Sequence, residues 1–285
     1  MTHSVTARAK INLTLEVTGR RVDGYHTLQS VVVFTQYGDQ LSVSKSDHLE
    51  LECRGPFSEG LGTGADNLVL RAAKAVQDYA GVGLGAKITL TKNLPVASGI
   101  GGGSADAAST LLLLNRLWDL NISQGELLKL AATLGADVPA CVTGKPLLME
   151  GIGDKITPLQ QFPGLPILLV NPAHAVETPT VFRQLNFLEK KARPVPSLSL
   201  SSVTLDDIIC GRNDLQAPAI ELLPVIEDVL AVLSQQSGVL LTRMSGSGAT
   251  CFALFDSADD CIKAGDQIRK LQPAWWVQDT FIEGG

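Results

Sequence analysis

The glycine-rich segment at residues 99–103 is the strongest chemical signal in the chain. Four of its five residues are glycine, a strand pattern ends shortly before it, and an apolar helical pattern begins at Ser104. Glycines lack a Cβ and let several backbone N–H groups converge on one point, while a helix N-terminus adds N–H groups and a positive dipole end. This combination is typical of a phosphate-binding loop, in which the Ser104 hydroxyl could also bond a phosphate or a metal ion.

The glycine-rich loop does not match the common nucleotide-binding signatures. The chain has no G-x-x-x-x-G-K-[ST] segment and lacks the H-R-D and D-F-G segments of protein kinases. The dinucleotide fingerprint G-x-G-x-x-G is missed because residue 104 is Ser, and no buried parallel strand precedes the loop. A nicotinamide-dependent reductase is therefore a disfavoured alternative. A flexible turn followed by a capping serine is the plain structural alternative.

Two charged residues are candidates for chemistry on a hydroxyl group. Asp137 lies in a G-A-D-V-P segment, whose proline is expected to keep Val138 extended and so to hold the carboxylate in a fixed direction. A carboxylate held near a phosphate site is a candidate base for a substrate hydroxyl. Lys10, at the start of an alternating strand, could lower the pKa of that carboxylate and stabilise negative charge in a transition state. An ordinary turn aspartate and an edge-strand lysine are the alternatives.

Two further segments could bind other parts of a ligand. Tyr25 and His26, in a D-G-Y-H loop, would offer an aromatic ring and a hydrogen-bonding ring to a planar base. The S-G-S-G segment at residues 245–248 joins two apolar strand patterns, and its N–H groups could form a second anion-binding turn. A plain loop and a plain hairpin are the respective alternatives.

The composition limits the classes of protein to which the chain can belong. Of its 285 residues 45% are apolar and the net charge is −6, which argues against disorder and against nucleic-acid or membrane-surface binding. The five cysteines are scattered, which favours free thiols in a reducing compartment. The N-terminal segment lacks the apolar core of a signal peptide. We expect a cytoplasmic monomer or homodimer with no nucleic-acid or membrane partner.

The order of predicted elements changes near residue 160. Before it, the sequence predicts strands at residues 11–17, 30–35, 49–53 and 87–91, helices at residues 66–81, 104–118 and 123–135, and two strand-like segments around Leu147 and Ile156. After it, the order is β-α-β-β-α-β, with strands at 167–170, 240–244, 251–255 and 275–281, helices at 223–236 and 257–271, and a Pro/Ser-rich loop at 194–202. We predict an α+β fold with an ATP-binding domain over residues 1–160 and a ferredoxin-like domain over residues 161–285.

Taken together, these segments resemble the galactokinase, homoserine kinase, mevalonate kinase and phosphomevalonate kinase superfamily. The glycine-rich and S-G-S-G segments are signals of the whole superfamily. The segments A-K-I-N-L at residues 9–13, D-G-Y-H at 23–26 and G-A-D-V-P at 135–139 are most similar to the family of 4-diphosphocytidyl-2-C-methyl-D-erythritol kinases. The resemblance covers residues 7–255 and implies ATP- and Mg²⁺-dependent phosphorylation of the 2-hydroxyl of that compound, in the non-mevalonate isoprenoid pathway. It also implies a first domain of the ribosomal-protein-S5-like type.

The resemblance further implies a role for each matching residue. Asp137 would deprotonate the attacking hydroxyl, with Lys10 beside it. Tyr25 and Phe182 would sandwich the cytosine, with His26 bonding its edge and Asn12 nearby. The residues implied to contact ATP are Asn67, Lys92, Pro95, Ser98, Gly99, Gly101, Gly102, Gly103 and Ser104, the last also as a ligand of the metal ion.

One residue departs from the family pattern, and two other functions stay open. Ala105 stands where the family often has a second serine, which removes one hydroxyl from the loop and bears on the metal contact more than on activity. A homoserine or mevalonate kinase is disfavoured by the Tyr25, His26 and Phe182 set, because those substrates have no base to stack on. A nucleotide-binding regulator without turnover is disfavoured by the presence of both Lys10 and Asp137.

Overall fold

The computed structural model describes residues 2–185 and 203–284, which divide into two compact units. The units alternate along the chain. The first comprises Met1–Ala9, Tyr37–Val96 and Gly101–Gly144, and the second comprises Lys10–Gln36, Ala97–Ile100 and Lys145–Gly285. The sequence predicted two domains that meet once along the chain, near residue 160, whereas these units alternate. The domain division at residue 160 stays a prediction. The predicted Pro/Ser-rich loop at residues 194–202 lies outside the described residues.

The first unit packs four helices with a small mixed sheet. Strand β4 pairs in parallel with β5, and β5 pairs antiparallel with the C-terminal part of β3. These elements are β1 (Thr2–Asn12), β3 (His26–Ser46), β4 (Leu49–Arg54), β5 (Gly85–Thr91), α1 (Leu68–Ala80), α2 (Gly102–Leu117), α3 (Gln124–Leu134) and α4 (Val138–Thr143). Helix α2 is buried on most of its surface, as expected of the central helix of a hydrophobic core.

The second unit contains two groups of strands. In one group, the N-terminal part of β3 pairs antiparallel with β2 and β6, and β6 pairs with β7. In the other, four antiparallel strands lie in the order β11-β8-β10-β9. The remaining elements are β2 (Glu16–Arg20), β6 (Leu147–Gly151), β7 (Lys155–Pro158), β8 (Leu165–Asn171), α5 (Thr178–Gln184), α6 (Leu205–Cys210), α7 (Gln216–Leu222), α8 (Val225–Ser234), β9 (Val239–Met244), β10 (Cys251–Phe255), α9 (Ala258–Leu271) and β11 (Trp276–Ile282).

The strand order in the second group confirms the ferredoxin-like prediction. Strands β8, β9, β10 and β11 alternate with α8 and α9 as β-α-β-β-α-β, and both helices contact the sheet. All five residues of β10 are buried, as expected for a strand covered by helices on one face and paired on both edges. The α+β fold class is therefore confirmed. No helix in the described ranges is both long and apolar enough to cross a membrane.

Several predicted element boundaries were wrong for identifiable reasons. The single strand expected at residues 11–17 is divided between β1 and β2, because the N–H of Leu15 donates to the carbonyl of Arg212 at 2.8 Å. Helix α1 is capped by Asn67 rather than Asp66, through a bond from the N–H of Val69. The helix predicted over residues 223–236 is shorter, because Leu223 is the C-cap residue of α7 and Pro224 is the N-cap residue of α8, which begins at Val225.

A buried arginine binds backbone carbonyls after β1 and around the end of α6 in the second unit. Arg243, on β9, is 6% exposed and donates to the carbonyls of Leu13, Ile208 and Gly211 at 2.7, 2.9 and 2.6 Å. The planar guanidinium suits this arrangement because its five N–H groups point in fixed, divergent directions. Burial lowers the pKa of Arg243 to about 10, and the nearby Glu16 carboxylate partly opposes that change.

We expect Arg243→Met to lower the free energy of unfolding by about 3 to 5 kcal/mol, since it leaves buried carbonyls without donors. The matched control is Arg183→Met, an exposed arginine, for which a change within about 0.5 kcal/mol is expected. Urea denaturation of both variants measures the difference. Equal losses in the two variants would contradict the role given to the Arg243 bonds.

Candidate active site

The first half of the glycine-rich loop packs against the S-G-S-G turn. Gly99 has φ +76°, and a Cβ there would lie 2.6 Å from the carbonyl oxygen of Ser245 and 2.7 Å from that of Gly248. The Ser245 hydroxyl donates to the carbonyl of Gly99 at 3.1 Å, and the N–H of Thr250 donates to the carbonyl of Ser98 at 3.2 Å. Residues 98 and 99 and the S-G-S-G turn, which lie far apart in the sequence, are therefore in direct contact within the second unit.

The second half of the loop begins helix α2 of the first unit. Gly101 is the N-cap residue, with φ +64° and no side-chain cap bond, so the helix begins at Gly102 rather than at the predicted Ser104. No acidic side chain lies in the first turn, where Ser104 is partly exposed. This end of a 16-residue helix therefore presents N–H groups and a positive dipole end, which favour an anion.

A buried lysine and two buried carboxylates lie behind the start of α2. Lys92 Nζ bonds Asp39 Oδ2 and donates to Asp106 Oδ2 at 2.7 Å. Asp39 Oδ1 also accepts from the N–H groups of Asn93 and Leu94, at 2.6 and 2.9 Å. A Cβ on Gly102 would lie 3.0 Å from Lys92 Nζ, so the cluster and the helix start fit closely. The cluster fixes the segment that leads from β5 toward the loop.

The charges of this cluster are strongly perturbed. Burial raises the pKa of Asp106 to about 7, opposed by the charge of Lys92 and reinforced by that of Asp39. Burial alone would lower the pKa of Lys92, but the charges of Asp106 and Asp39 outweigh it and raise that pKa. Asp106 Oδ1 is buried and has no hydrogen-bond partner among the described residues. Asp39 and Asp106 were not predicted from the sequence, although an aspartate within the apolar pattern of α2 was a usable signal.

A second polar cluster surrounds the end of β1 in the second unit. Lys10 is 4% exposed and its Nζ donates to Asn12 Oδ1 at 3.0 Å. The Asn12 side-chain amide donates to the hydroxyl of Ser30 at 2.7 Å. The N–H of Asn12 donates to the Ser245 hydroxyl at 3.1 Å, and the N–H of Lys10 to the carbonyl of Ile100 at 2.9 Å. Lys10 and Asn12 are therefore held against the glycine-rich loop and the S-G-S-G turn.

An aromatic pair lies elsewhere in the second unit. The rings of His26 and Phe182 stack with centroids 5.3 Å apart and an interplanar angle of 20°. Burial, reinforced by the charge of Arg20, lowers the pKa of His26. Helix α5, which carries Phe182, is bonded to the S-G-S-G turn through the hydroxyls of Thr178 and Ser247 at 2.7 Å. Tyr25 is 65% exposed, so its sandwich with Phe182 around a base stays a prediction.

The predicted base, Asp137, lies in the first unit. It is the N-cap residue of α4, partly exposed, with φ −84° and ψ −14°, and its side chain does not cap the helix. The expectation that Pro139 keeps Val138 extended was wrong, because Val138 is the first residue of α4. A proline in the first turn of a helix removes no helical hydrogen bond. Lys10 belongs to the other unit, and its pairing with Asp137 stays a prediction.

The other predicted ATP-binding residues have structural roles in the described chain. Asn67 caps α1 and donates from its amide to the carbonyl of Gly62 at 2.6 Å. Pro95 and Ser98 are buried before the loop, and Gly103 is exposed in the first turn of α2. Their contacts with a nucleotide stay predictions.

We expect Asp106→Asn to change how stability depends on pH. The folded pKa of Asp106 lies above its unfolded value of 3.8, so the wild type should lose stability relative to the variant as pH rises from about 4 to about 7, and no further above that. Urea denaturation from pH 4 to 8 measures this. Asp259→Asn, at an exposed position of α9, serves as the control and should follow the wild type. A wild type that gains stability relative to Asp106→Asn over this range would contradict the assignment.

Comparison with known proteins gives concordant results at three levels. The sequence matches the family described as GHMP kinases N terminal domain at residues 67–145 and that described as GHMP kinases C terminal at residues 203–273. A 4-diphosphocytidyl-2-C-methyl-D-erythritol kinase of Parvibaculum lavamentivorans is 45% identical over 98% of this chain and 97% of its own length. One of Ruegeria pomeroyi is 49% identical over 95% of each chain.

Solved structures agree with these matches. A crystal structure of 4-(cytidine 5'-diphospho)-2C-methyl-D-erythritol kinase superposes with a TM-score of 0.82 at 32% identity, covering 99% of this chain and 100% of that one. A homoserine kinase from Cytophaga hutchinsonii gives a TM-score of 0.72 at 19% identity, covering 99% and 94%, which shows a shared fold alone. The chain belongs to the 4-diphosphocytidyl-2-C-methyl-D-erythritol kinase family of the GHMP kinases.

Proposed function

We propose that this chain transfers the γ-phosphoryl group of ATP to the 2-hydroxyl of 4-diphosphocytidyl-2-C-methyl-D-erythritol, a step of the non-mevalonate isoprenoid pathway. The substrate assignment is supported by the stacked rings of His26 and Phe182. It is also supported by relatives named as kinases of this compound. Aromatic side chains suit a nucleobase, because a base stacks on an aromatic ring through the same forces by which two aromatic rings stack on each other. The low pKa of His26 keeps its ring neutral, so that it can both donate to and accept from a base edge.

The proposed ATP site uses the start of α2 and the glycine-rich loop. The N–H groups of the first turn and the dipole of α2 would bind the phosphates, with Ser104 as a further hydroxyl donor. The other loop residues proposed here are Ser98, Gly99, Gly101, Gly102 and Gly103. Asn67 and Lys92 are proposed to contact the nucleoside end of ATP, and Pro95 is proposed as a further ATP contact.

The proposed chemical step is a single displacement at phosphorus. Asp137 accepts the proton of the substrate 2-hydroxyl as its oxygen forms a bond to the γ-phosphorus. The bond from that phosphorus to the β,γ-bridging oxygen breaks, and ADP leaves with the electron pair. Lys10 stabilises the negative charge that spreads over the transferred group. Asn12 bonds Lys10 and, in this proposal, lies near the cytidine part of the substrate.

Magnesium would accompany the ATP. Over residues 2–185 and 203–284, no three His, Cys, Asp or Glu side chains are grouped as a metal site. Kinases bind magnesium through one or two protein oxygens together with phosphates and water, so such a group is not required. The partly exposed hydroxyl of Ser104 fits this donor chemistry, and we propose it as a ligand. The bound ion would neutralise charge on the phosphates.

A homoserine or mevalonate kinase is the second candidate. The shared fold with the homoserine kinase supports it at the level of architecture only. Neither substrate contains a base, so neither would use the His26 and Phe182 pair. The cytoplasmic location and the monomeric or homodimeric state expected from the sequence stay predictions.

We expect Asp137→Asn to lower kcat by at least ~10²-fold, the scale of a lost general base, with folding preserved. An ADP-release assay with Mg-ATP and the cytidine substrate measures kcat, and thermal unfolding checks the fold. Asp259→Asn, an exposed aspartate near the start of α9, is the matched control and should keep full turnover. Near-normal turnover of Asp137→Asn would remove Asp137 from the role of base.

We expect Phe182→Leu and Tyr25→Ala to raise KM for the cytidine substrate by about 10-fold or more, because each lost stacking contact contributes about 1 to 3 kcal/mol. KM for ATP should change less than about twofold, since neither ring is proposed to contact ATP. Steady-state kinetics with each substrate varied in turn measures both constants. Equal changes in the two KM values would contradict base stacking by these residues.

A further inference from the structure

A directed chain of hydrogen bonds connects Ser30 to Lys10 inside the second unit. The hydroxyl of Ser30, a fully buried residue of β3, donates to the backbone carbonyl of Thr14. The same hydroxyl accepts from Asn12 Nδ2 at 2.7 Å. Asn12 Oδ1 in turn accepts from Lys10 Nζ at 3.0 Å. The Ser30 hydroxyl and the Asn12 amide therefore connect a backbone carbonyl to an ammonium group in one continuous row.

The direction of every bond in this row is fixed by its two ends. A carbonyl oxygen can only accept, so the single hydroxyl proton of Ser30 must point to Thr14. The hydroxyl can then only accept from Asn12, which must present its NH₂ group to Ser30 and its oxygen to Lys10. An ammonium group can only donate, and this orientation is the one that it requires. Ser30 and Lys10 together therefore fix the orientation of the Asn12 amide, one through its NH₂ group and the other through its oxygen.

We infer that Ser30 is a positioning residue for phosphoryl transfer, which acts through the Asn12 amide to hold the Lys10 ammonium group in place. This inference rests on the proposed function, in which Lys10 stabilises the transferred phosphoryl group. Ser30 itself touches neither substrate in this scheme. Its contribution is the fixed geometry that electrostatic stabilisation of a transition state needs.

The backbone around this row has supports that do not depend on the Ser30 hydroxyl. The N–H of Val31 donates to Thr14 Oγ1 at 3.0 Å, and the N–H of Asn12 donates to Ser245 Oγ at 3.1 Å. The N–H of Leu13 donates to the carbonyl of Val31 at 2.8 Å. Removal of the hydroxyl should therefore leave β1 and β3 in place. It would leave the Asn12 NH₂ group without its acceptor, so the amide whose oxygen binds Lys10 would be less firmly held.

We expect Ser30→Ala to lower kcat about 10-fold, which corresponds to one lost positioning hydrogen bond, with both KM values within about twofold of wild type. Ser30→Thr keeps the hydroxyl and should restore kcat to within about threefold of wild type. Ser109→Ala, at another buried serine, is the control and should keep full activity. Ser30→Cys, which fills the same space with a much weaker donor, replaces Ser30→Ala if thermal unfolding shows that the alanine variant is not folded.

A double-mutant cycle tests whether Ser30 acts through Lys10. In a Lys10→Ala background, Ser30→Ala should lower kcat by less than about twofold, because the group that it positions is gone. A full 10-fold loss in that background would overturn the inference. So would a wild-type kcat in Ser30→Ala.

A measurement that needs no turnover separates this inference from the proposed function. In ¹⁵N-labelled protein without substrates, Ser30→Ala should shift the NMR signals of the Asn12 side-chain amide and of the Lys10 ammonium group, whereas Ser109→Ala should leave them unchanged. If the wild type fails to phosphorylate the cytidine substrate while these shifts occur, the proposed function fails and the positioning stands. Unshifted signals in Ser30→Ala overturn the positioning, whatever the activity.

Discussion

The packing of the loop at residues 97–100 against the turn at residues 245–249 is the constraint on which the polar site of the second unit depends. Each segment presents a glycine where the other presents a carbonyl: a Cβ on Gly99 would approach the Ser245 oxygen at 2.6 Å, and one on Gly246 would approach the Gly99 oxygen at 2.7 Å. Because no side chain fits at either position, the two backbones are in direct contact. The hydroxyl of Ser245 then binds both Gly99 and Asn12, so the contact also fixes the residues around Lys10.

In each unit, buried charged side chains bind groups that hold the backbone in place near the site. Arg243 binds carbonyls at the end of β1 and of α6, and Lys92 binds the carboxylates of Asp39 and Asp106. Such ions are costly to bury, and they become stable only when their partners are held in place. Asp106 and Glu16 are exceptions among the described residues, because one buried carboxylate oxygen of each has no hydrogen-bond partner. Rigid backbone at these points is a physical requirement for a site that works by fixed electrostatics.

The sequence predicted the elements better than their junctions, for physical reasons. Periodicity reports which face of a segment is buried, and it identified β10 and α9, the middle of β3 at residues 30–35, and the ferredoxin-like order. It failed where long-range hydrogen bonds determine where a strand ends. At Leu15 the sequence pattern continues, but the N–H of Leu15 donates to the carbonyl of Arg212 and the strand is interrupted. Residues before proline usually adopt an extended conformation, but Val138 is instead the first residue of the short helix α4.

Within the site, the glycine motifs, Lys10 and Asn12 were visible in the sequence, and the partners that orient them were not. The residue types of Ser30 and Asp39 on β3 gave no signal of a role in the site, and only the fold brings them to Asn12 and Lys92. The distance between the S-G-S-G and glycine-rich segments along the chain likewise concealed their contact. Residue types predict chemistry, whereas the supporting bonds depend on three-dimensional neighbours.

The proposed function depends above all on the identity of the phosphoryl acceptor. The most direct measurement is a competition in which purified protein receives Mg-ATP and equal amounts of 4-diphosphocytidyl-2-C-methyl-D-erythritol, homoserine and mevalonate, with products identified by mass spectrometry and ³¹P NMR. We expect one phosphorylated product, the 2-phosphate of the cytidine compound. Phosphorylation of homoserine or mevalonate in its place would contradict the base-binding role of His26 and Phe182 and with it the proposed function.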